Sequence, residues 1–324
     1  MADFYAHWLE DSERIENTIN NAPRVARHKE LKWERTRQDA KSALMIAPET
    51  GFPTGGSSLM KSEIPIGWHT GQHFHGEEAI YIEQGEGFLV LDEGKYNFGP
   101  GTIIHIPFHS PHQLFNTGNE PVVYLSALAW HLESFLHMGK IEQWEDCGVN
   151  DSIQLEGFSP EKSQYWPQDE RRITMHRDQY VVIENPGHGE VFSLGGTGRE
   201  GVGMDANGFR MTAAGITSIF VENPHFKSHS HSHPEAYLYC LQGAGYSMID
   251  GKRYDWEKGD AVHVPPGMKH HQHFNPTDGE TRELRFEFGI RYWVVNQWKG
   301  WNTVMDDHEA RSIKQDRGHE KGHS

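Results

Sequence analysis

The chain carries a long internal repeat, which limits its fold more than any other feature of the sequence. A single offset of 158 residues places unlike residue types of the first half on identical types of the second. The pairs include His73 and His231, His75 and His233, Glu77 and Glu235, Gly85 and Gly243, and His105 and His263. After Pro107 the offset becomes 159, so that His112 pairs with His271 and Asn116 with Asn275. Such self-similarity predicts a duplicated domain.

Short apolar runs broken by glycine and proline predict β-strands in both copies. Residues 79–82 form one such run, a turn follows at Gly85 and Gly87, and residues 237–241 with Gly245 repeat the same plan. Many short strands with evenly spaced turns are typical of a sandwich or barrel. The sequence therefore predicts an all-β fold of two barrels packed together, with a helical N-terminal arm and a helical connector.

The pattern also predicts where these parts begin and end. The predicted parts are a helical arm at 1–42, a first barrel with a trailing helix at 43–147, a connector at 148–175, a second barrel at 176–305 and a disordered tail at 306–324. The trailing helix is expected from residue 130 onward, and the tail is expected because it is charged and almost without apolar residues.

Composition restricts the partners and the compartment. A length of 324 residues suits about two domains. The net charge of −16 disfavours nucleic acid or an anionic membrane as partner. The two cysteines, Cys147 and Cys240, show no pairing pattern, and neither a signal segment nor a membrane span is evident. We therefore predict a cytoplasmic protein with free thiols.

Histidines in the repeat have the spacing of metal ligands. Residues at i and i+2 of a strand point to the same face, as His73 and His75 do, and neutral imidazole is the commonest metal ligand. The first copy reads Gly67-x5-His73-x-His75-x2-Glu78-x6-Gly85 and then Gly101-x5-Pro107-x-His109-x2-His112-x3-Asn116.

These two motifs resemble those of the cupin superfamily, Gly-x5-His-x-His-x3/4-Glu-x6-Gly and Gly-x5-Pro-x-Gly-x2-His-x3-Asn, and the two copies together resemble a bicupin. The first copy departs from the pattern twice, because its His-to-Glu spacer is one residue short and His109 replaces a glycine. The resemblance implies jelly-roll barrels of the double-stranded β-helix type. It also implies a divalent metal at the barrel mouth, held by three histidines and often one glutamate.

The predicted ligands of the first site are His73, His75, Glu78 and His112, and those of the second are His231, His233 and His271. Glu78 keeps the family spacing to Gly85, whereas Glu77 is the residue that recurs in the second copy, so both remain candidates. Ala236 stands at the position equivalent to Glu78, which predicts an all-histidine second site. Other candidates there are Glu235, His229 and His270.

Four further residues are weaker candidates for binding substrate. Trp68 could line an aromatic pocket or simply belong to the core. Arg285, on an alternating strand, could bind a substrate carboxylate or lie on a solvated strand face. His105 and His263 recur just before the proline turn and could either support the ligands or be ordinary strand residues.

The bicupins that this chain resembles include the gentisate and hydroxynaphthoate ring-cleaving dioxygenases. That resemblance implies an oxidoreductase of aromatic compound catabolism, with Fe(II), O2 and a small aromatic acid as substrate, in a homo-oligomer. The helical arm and Ala236 fit this group, and Glu78 does not. Glu78 favours an alternative, a Mn(II)- or Zn(II)-dependent decarboxylase, lyase or isomerase acting without O2. A non-catalytic metal- or ligand-binding bicupin is the third hypothesis.

Overall fold

A computed structural model of the chain describes residues 3–92, 94–151, 164–166, 168, 170–184, 190–193, 209, 211, 214–288 and 304–305. Within them the α-helices are α1 (Phe4–Asn21) and α2 (Trp130–Phe135), and single 3₁₀ turns span His28–Glu30, Pro48–Thr50 and Arg177–Gln179. The predicted tail at 306–324 and connector residues 152–163 lie outside the described residues.

Strands make up most of the first half. They are β1 (Val25–Ala26), β2 (Lys41–Ile46), β3 (Ser58–Ile64), β4 (Trp68–His69), β5 (Gln72–Phe74), β6 (Glu78–Gln84), β7 (Gly87–Leu91), β8 (Gly94–Phe98), β9 (Ile103–Ile106), β10 (His112–Asn116), β11 (Val122–Leu128), β12 (Glu142–Glu145) and β13 (Gly148–Val149).

The second half repeats this order. Its strands are β14 (Thr174–Met175), β15 (Val181–Glu184), β16 (Glu190–Ser193), β17 (Ala214–Glu222), β18 (His231–Ser232), β19 (Ala236–Gln242), β20 (Ala244–Ile249), β21 (Lys252–Glu257), β22 (Ala261–Val264), β23 (His270–Phe274), β24 (Thr281–Phe288) and β25 (Val304–Met305).

Each half is a barrel of two antiparallel sheets. In the first barrel, a sheet of order β14-β9-β6-β11-β3-β2 faces a sheet of order β12-β5-β10-β4-β13, with β7 and β8 joined to it beside β10. In the second barrel, the order β1-β22-β19-β24-β17-β16-β15 faces β21-β20-β23-β18-β25. The prediction of an all-β chain with two barrels is confirmed.

Two buried faces explain why β6 and β19 are apolar runs rather than alternating strands. Ile80 and Ile82 of β6 belong to the core inside the first barrel, whereas Ala79 and Tyr81 belong to a cluster shared by both barrels. On β19, Leu238 packs inside the second barrel, while its neighbours Tyr237 and Tyr239 join the same shared cluster. The barrels therefore meet face to face through these sheets.

The barrels also exchange edge strands. β1 lies before the first barrel in sequence but pairs with β22 of the second, and β14 lies before the second barrel but pairs with β9 of the first. The two exchanges are equivalent, because Arg24 O accepts from the His263 amide at 2.7 Å and Ile173 O accepts from the His105 amide at 2.8 Å. The duplication therefore includes these strands, which the sequence comparison did not reveal.

The helix predicted over residues 130–147 is wrong in its extent. α2 ends at Phe135, and His137 adopts a left-handed backbone with φ of 58° that a continuing helix does not allow. The chain then forms β12, which pairs with β5.

In the predicted arm, α1 carries its N-cap on Asp3 and has no buried residue. The domain limits given above stay a prediction.

Candidate metal centres

In the first barrel, two neighbouring strands and the residue after one of them bring the predicted histidines together. His73 on β5 lies directly opposite His112 on β10, and His75 follows β5 in the chain. The ring centroids are 4.3 Å apart for His73 and His112, 4.9 Å for His75 and His112, and 5.1 Å for His73 and His75. All three side chains are buried, so the cluster lies inside the barrel rather than on its rim.

Backbone carbonyls fix the tautomer of each ring. The Nδ1–H groups of His73, His75 and His112 donate to the carbonyl oxygens of Gly71, Gly76 and Ser110 at 2.8, 2.9 and 2.9 Å. A ring that donates through Nδ1 keeps its lone pair on Nε2, as in most metal-bound histidines. The three Nε2 atoms are buried and have no hydrogen-bond partner within the described residues.

Glu78 completes the cluster. Its Oε2 lies 3.4 Å from His75 Nε2 and 3.5 Å from His112 Nε2, and Ser126 Oγ donates to its Oε1. Oε2 is buried and is not hydrogen-bonded to any group that the structure describes. Four buried ligand atoms without partners are costly unless something binds them. Their types and spacing fit a divalent transition metal.

The electrostatics of the cluster suit a cation. Burial alone would raise the pKa of Glu78, but His112 and His75 outweigh it and hold the pKa well below the usual range of a carboxyl. Burial and the neighbouring rings of His112 and His75 lower the pKa of His73 well below its usual value. The cluster therefore combines a carboxylate with a neutral imidazole.

Glu77 and Glu235, the rival carboxylates, lie elsewhere. His105 Nε2 is 2.9 Å from Glu77 Oε1, and His263 Nε2 is 2.8 Å from Glu235 Oε1. Each glutamate also accepts from the other half of the chain: Glu77 from the amide of Ala214 at 3.2 Å, and Glu235 from the amide of Gly55 and Ser57 Oγ at 2.8 Å each. These buried pairs join the barrels, and a role of His105 and His263 in binding substrate stays a prediction.

The second barrel gathers its predicted histidines in a similar way. His231 lies opposite His271, and the centroids of His231, His233 and His271 are 4.3 to 5.3 Å apart. His229 and His270 are exposed, which leaves the cluster to the other three. His273, two residues beyond His271 on the same face of β23, joins them, and the sequence reasoning missed it. The signal was the i, i+2 spacing within β23.

Arg285 changes the chemistry of this second cluster. Its Nη2 is 2.7 Å from His233 Nε2, and its Nε is 2.9 Å from Glu287 Oε1. Arg285 is 5% exposed, so the expectation of a solvated strand face is wrong. The alternation of β24 points Glu283, Arg285 and Glu287 into the barrel. The cluster thus holds a guanidinium where the first holds a carboxylate, and it does not fit a second metal ion in the same way.

Trp68 lies at the side of the first barrel. It is half-buried against the core inside that barrel, and the Arg35 guanidinium lies 5.5 Å from its ring centroid. A role in binding substrate stays a prediction.

Two segments of the chain, residues 60–128 and 219–285, match the family profile of the Cupin domain. Of the curated relatives, an uncharacterized protein of Methanocaldococcus jannaschii is 37% identical over 70 residues, which are 21% of this chain and 56% of that protein. Glucose-6-phosphate isomerase of Thermococcus kodakarensis is 36% identical over 63 residues, 17% of this chain and 33% of the enzyme. The chain thus spans about half and a third of the length of these relatives.

Solved structures resemble the chain over more of its length. The salicylate 1,2-dioxygenase of Pseudoaminobacter salicylatoxidans, solved with gentisate, has a TM-score of 0.64 at 13% identity and covers 94% of this chain and 93% of its own. The oxalate decarboxylase of Lactobacillus farciminis has a TM-score of 0.62 at 12% identity, with 85% and 90% covered.

Among the residues that the structure describes, no helix is both long and apolar enough to span a membrane.

The two profile matches coincide with the two barrels, and the likeness to the solved structures extends over both. The chain therefore contains two cupin domains in tandem and has the bicupin fold.

Proposed function

We propose that the chain is a metal-dependent dioxygenase that cleaves a hydroxy-substituted aromatic acid with O2 at ferrous iron in the first barrel. The metal centre rests on the convergence of the His73, His75 and His112 rings, with Glu78 Oε2 beside two of them. Among the described residues, their Nε2 atoms and Glu78 Oε2 have no hydrogen-bond partner. The fold shared with the salicylate dioxygenase over nearly the whole of both chains supports the reaction class.

The chain's own residues would prepare the site in two ways. The carbonyl oxygens behind each imidazole orient the three Nε2 lone pairs before any ion binds, which lowers the cost of binding. Leu91 and Ile106, which belong to the apolar core, pair across strands with His112 and Glu78 and keep the dielectric beside the cluster low. Ferrous iron held by His73, His75, Glu78 and His112 would supply electron transfer between a bound substrate and dioxygen.

Glu78 supports a second candidate, a Mn(II)- or Zn(II)-dependent decarboxylase, lyase or isomerase that needs no O2. A carboxylate ligand adds negative charge and suits harder ions such as manganese. The fold is also shared with the oxalate decarboxylase. The two candidates differ in metal and in oxygen dependence, so one set of measurements separates them.

The test begins with metal analysis of anaerobically purified protein, followed by reconstitution with Fe(II), Mn(II) or Zn(II). We expect the iron-loaded protein to consume O2 with gentisate, salicylate or 1-hydroxy-2-naphthoate, and the His112→Ala variant to consume none. Oxygen-independent turnover of oxalate or another small acid by the manganese form would favour the second candidate. Absence of both would leave a non-catalytic binding protein.

The compartment and assembly also belong to this proposal. Cys147 and Cys240 are both free and buried, which supports a reducing, cytoplasmic location. Phe4 and Trp8 on α1 are 69% and 63% exposed, and large aromatic residues left in solvent support a homo-oligomer. Sedimentation of the full chain and of the Phe4→Ser/Trp8→Ser variant would test the assembly.

A further inference from the structure

The second barrel differs from the first at three positions beside its histidines. The pairing registers of β6 with β11 and of β19 with β24 are equivalent, so these strands can be compared residue by residue. The differences from the first to the second barrel are Glu78 to Ala236, Ser126 to Arg285 and Leu128 to Glu287. The second barrel has therefore lost the ligand carboxylate on one strand and gained an Arg–Glu pair on its neighbour.

The Arg–Glu pair sits against the histidine cluster. Arg285 and Glu287 are 5% and 2% exposed, and the pair is held at 2.9 Å. The guanidinium Nη2 lies 2.7 Å from His233 Nε2. A guanidinium is always charged and has only donors, so this contact is an N–H group donating to the lone pair of His233. That lone pair is the one a metal would need.

The remaining rings of His231, His271 and His273 bring ligand atoms within 4.8 Å of one another, but an ion held there would lie beside the Arg285 guanidinium. His271 Nε2 is 2.9 Å from His233 Nε2, while the Nδ1–H of His271 donates to the carbonyl of Lys269 at 2.8 Å. Two facing Nε2 lone pairs at this distance repel each other unless one ring carries the hydrogen between them or a cation lies beside them. Arg285 already supplies a positive charge at the same place, and a divalent ion beside it would be repelled.

We infer that the Arg285 guanidinium occupies the cation position of the second barrel and closes that barrel to a metal ion. Arg285 on β24 contacts His233, so its guanidinium connects the strands of the second barrel. In the first barrel the proposed metal ion has this role. The protein then binds one metal ion per chain, at His73, His75, Glu78 and His112. The second cluster of His231, His233 and His271, predicted from the sequence as a metal site, is instead structural.

The test is metal stoichiometry of the full chain after loading with Fe(II), Mn(II) or Zn(II) and removal of excess ion. We expect about one equivalent in the wild-type protein, none in His73→Ala and about one in His233→Ala. The first barrel provides the template for a gain-of-function variant. Ala236→Glu/Arg285→Ser/Glu287→Leu copies the residues around the first cluster and is expected to bind about two equivalents.

Two results would overturn the inference. One is about two equivalents in the wild-type protein, whether or not His233→Ala loses one of them. The other is a triple variant that folds, as judged by circular dichroism and a cooperative melt, yet still binds only one. If the triple variant does not fold, the comparison of wild type with His233→Ala decides. The inference depends on the proposed metal site of the first barrel only for the expected number of metal equivalents per chain. A wild-type chain that binds no metal would contradict the proposed function but not the inference about the second barrel.

Discussion

Glu77 and Glu78 are neighbours in the chain and both are buried, yet their side chains serve different parts of the molecule. Glu78 Oε2 faces His75 and His112 inside the barrel, whereas Glu77 faces His105 and the other barrel. Successive residues entering a strand point to opposite faces, so this separation follows from the backbone. The pair provides a matched comparison at the scale of one residue.

We expect Glu78→Gln to weaken metal binding by at least about tenfold, since a charged ligand becomes a neutral one. Glu77→Gln serves as the control and should leave metal affinity within about threefold while lowering the melting temperature, because it weakens a buried contact between the barrels. Isothermal titration of both variants with Mn(II) measures the difference. Equal losses of affinity would show that Glu78 is not a ligand.

The sequence could not choose between these two glutamates. The spacing to Gly85 favoured Glu78, and the internal repeat favoured Glu77, because the second copy keeps only Glu235. Glu77 and Glu235 occur at equivalent positions of the repeat because both make contacts between the barrels. The sequence could not reveal this role, since a contact between distant segments leaves no periodic pattern. The spacing of His73, His75 and His112, in contrast, depends on local strand geometry, so sequence alone grouped them.

At the scale of elements, β24 shows how an alternating strand can point its polar face inward. Glu283, Arg285 and Glu287 lie inside the second barrel, where their first-barrel equivalents are Tyr124, Ser126 and Leu128. Alternation predicts two unlike faces but does not say which one meets solvent, so the sequence could not place Arg285. The opposite face, with Leu284 and Phe286, belongs to the shared core.

Two buried carboxyls of this barrel should make its stability depend on pH. Burial raises the pKa of Glu222 from 4.5 to about 7. Burial and the adjacent Glu222 raise the pKa of Glu283 well above its usual value. Between pH 4.5 and about 7 the folded protein keeps a proton on Glu222 that the unfolded chain has released. The free energy of unfolding therefore falls as pH rises through this window.

We expect Glu222→Gln to flatten this fall and to stabilise the protein at pH 8 by on the order of 2 kcal/mol. Urea unfolding at several pH values between 4.5 and 8 measures it. Glu257→Gln, whose side chain is 48% exposed, is the control and should keep the wild-type slope. A wild-type stability that rises steadily with pH through this window would contradict the assignment.

At the scale of the whole molecule, the two barrels share more than a surface. A single apolar cluster includes Leu59 and Ile103 of the first barrel with Tyr237 and Phe286 of the second. The exchanged strands β1 and β14 close the edge of the opposite barrel in each case. The repeat predicted the two barrels, but two-residue strands carry too little pattern to predict which barrel they join.

Because the core is shared, we expect both barrels to unfold in one transition. Phe286→Ala, in the second barrel, removes a fully buried ring from the shared cluster and should cost about 3–5 kcal/mol. Amide hydrogen exchange measured by mass spectrometry should then speed up on β9 of the first barrel as much as on β22 of the second, because both report the same global opening. Val149→Ala, at a side chain 68% exposed, is the control and should change neither. Faster exchange confined to the second barrel would mean that the barrels are independent domains, each stable without the packing and the strand that the other contributes.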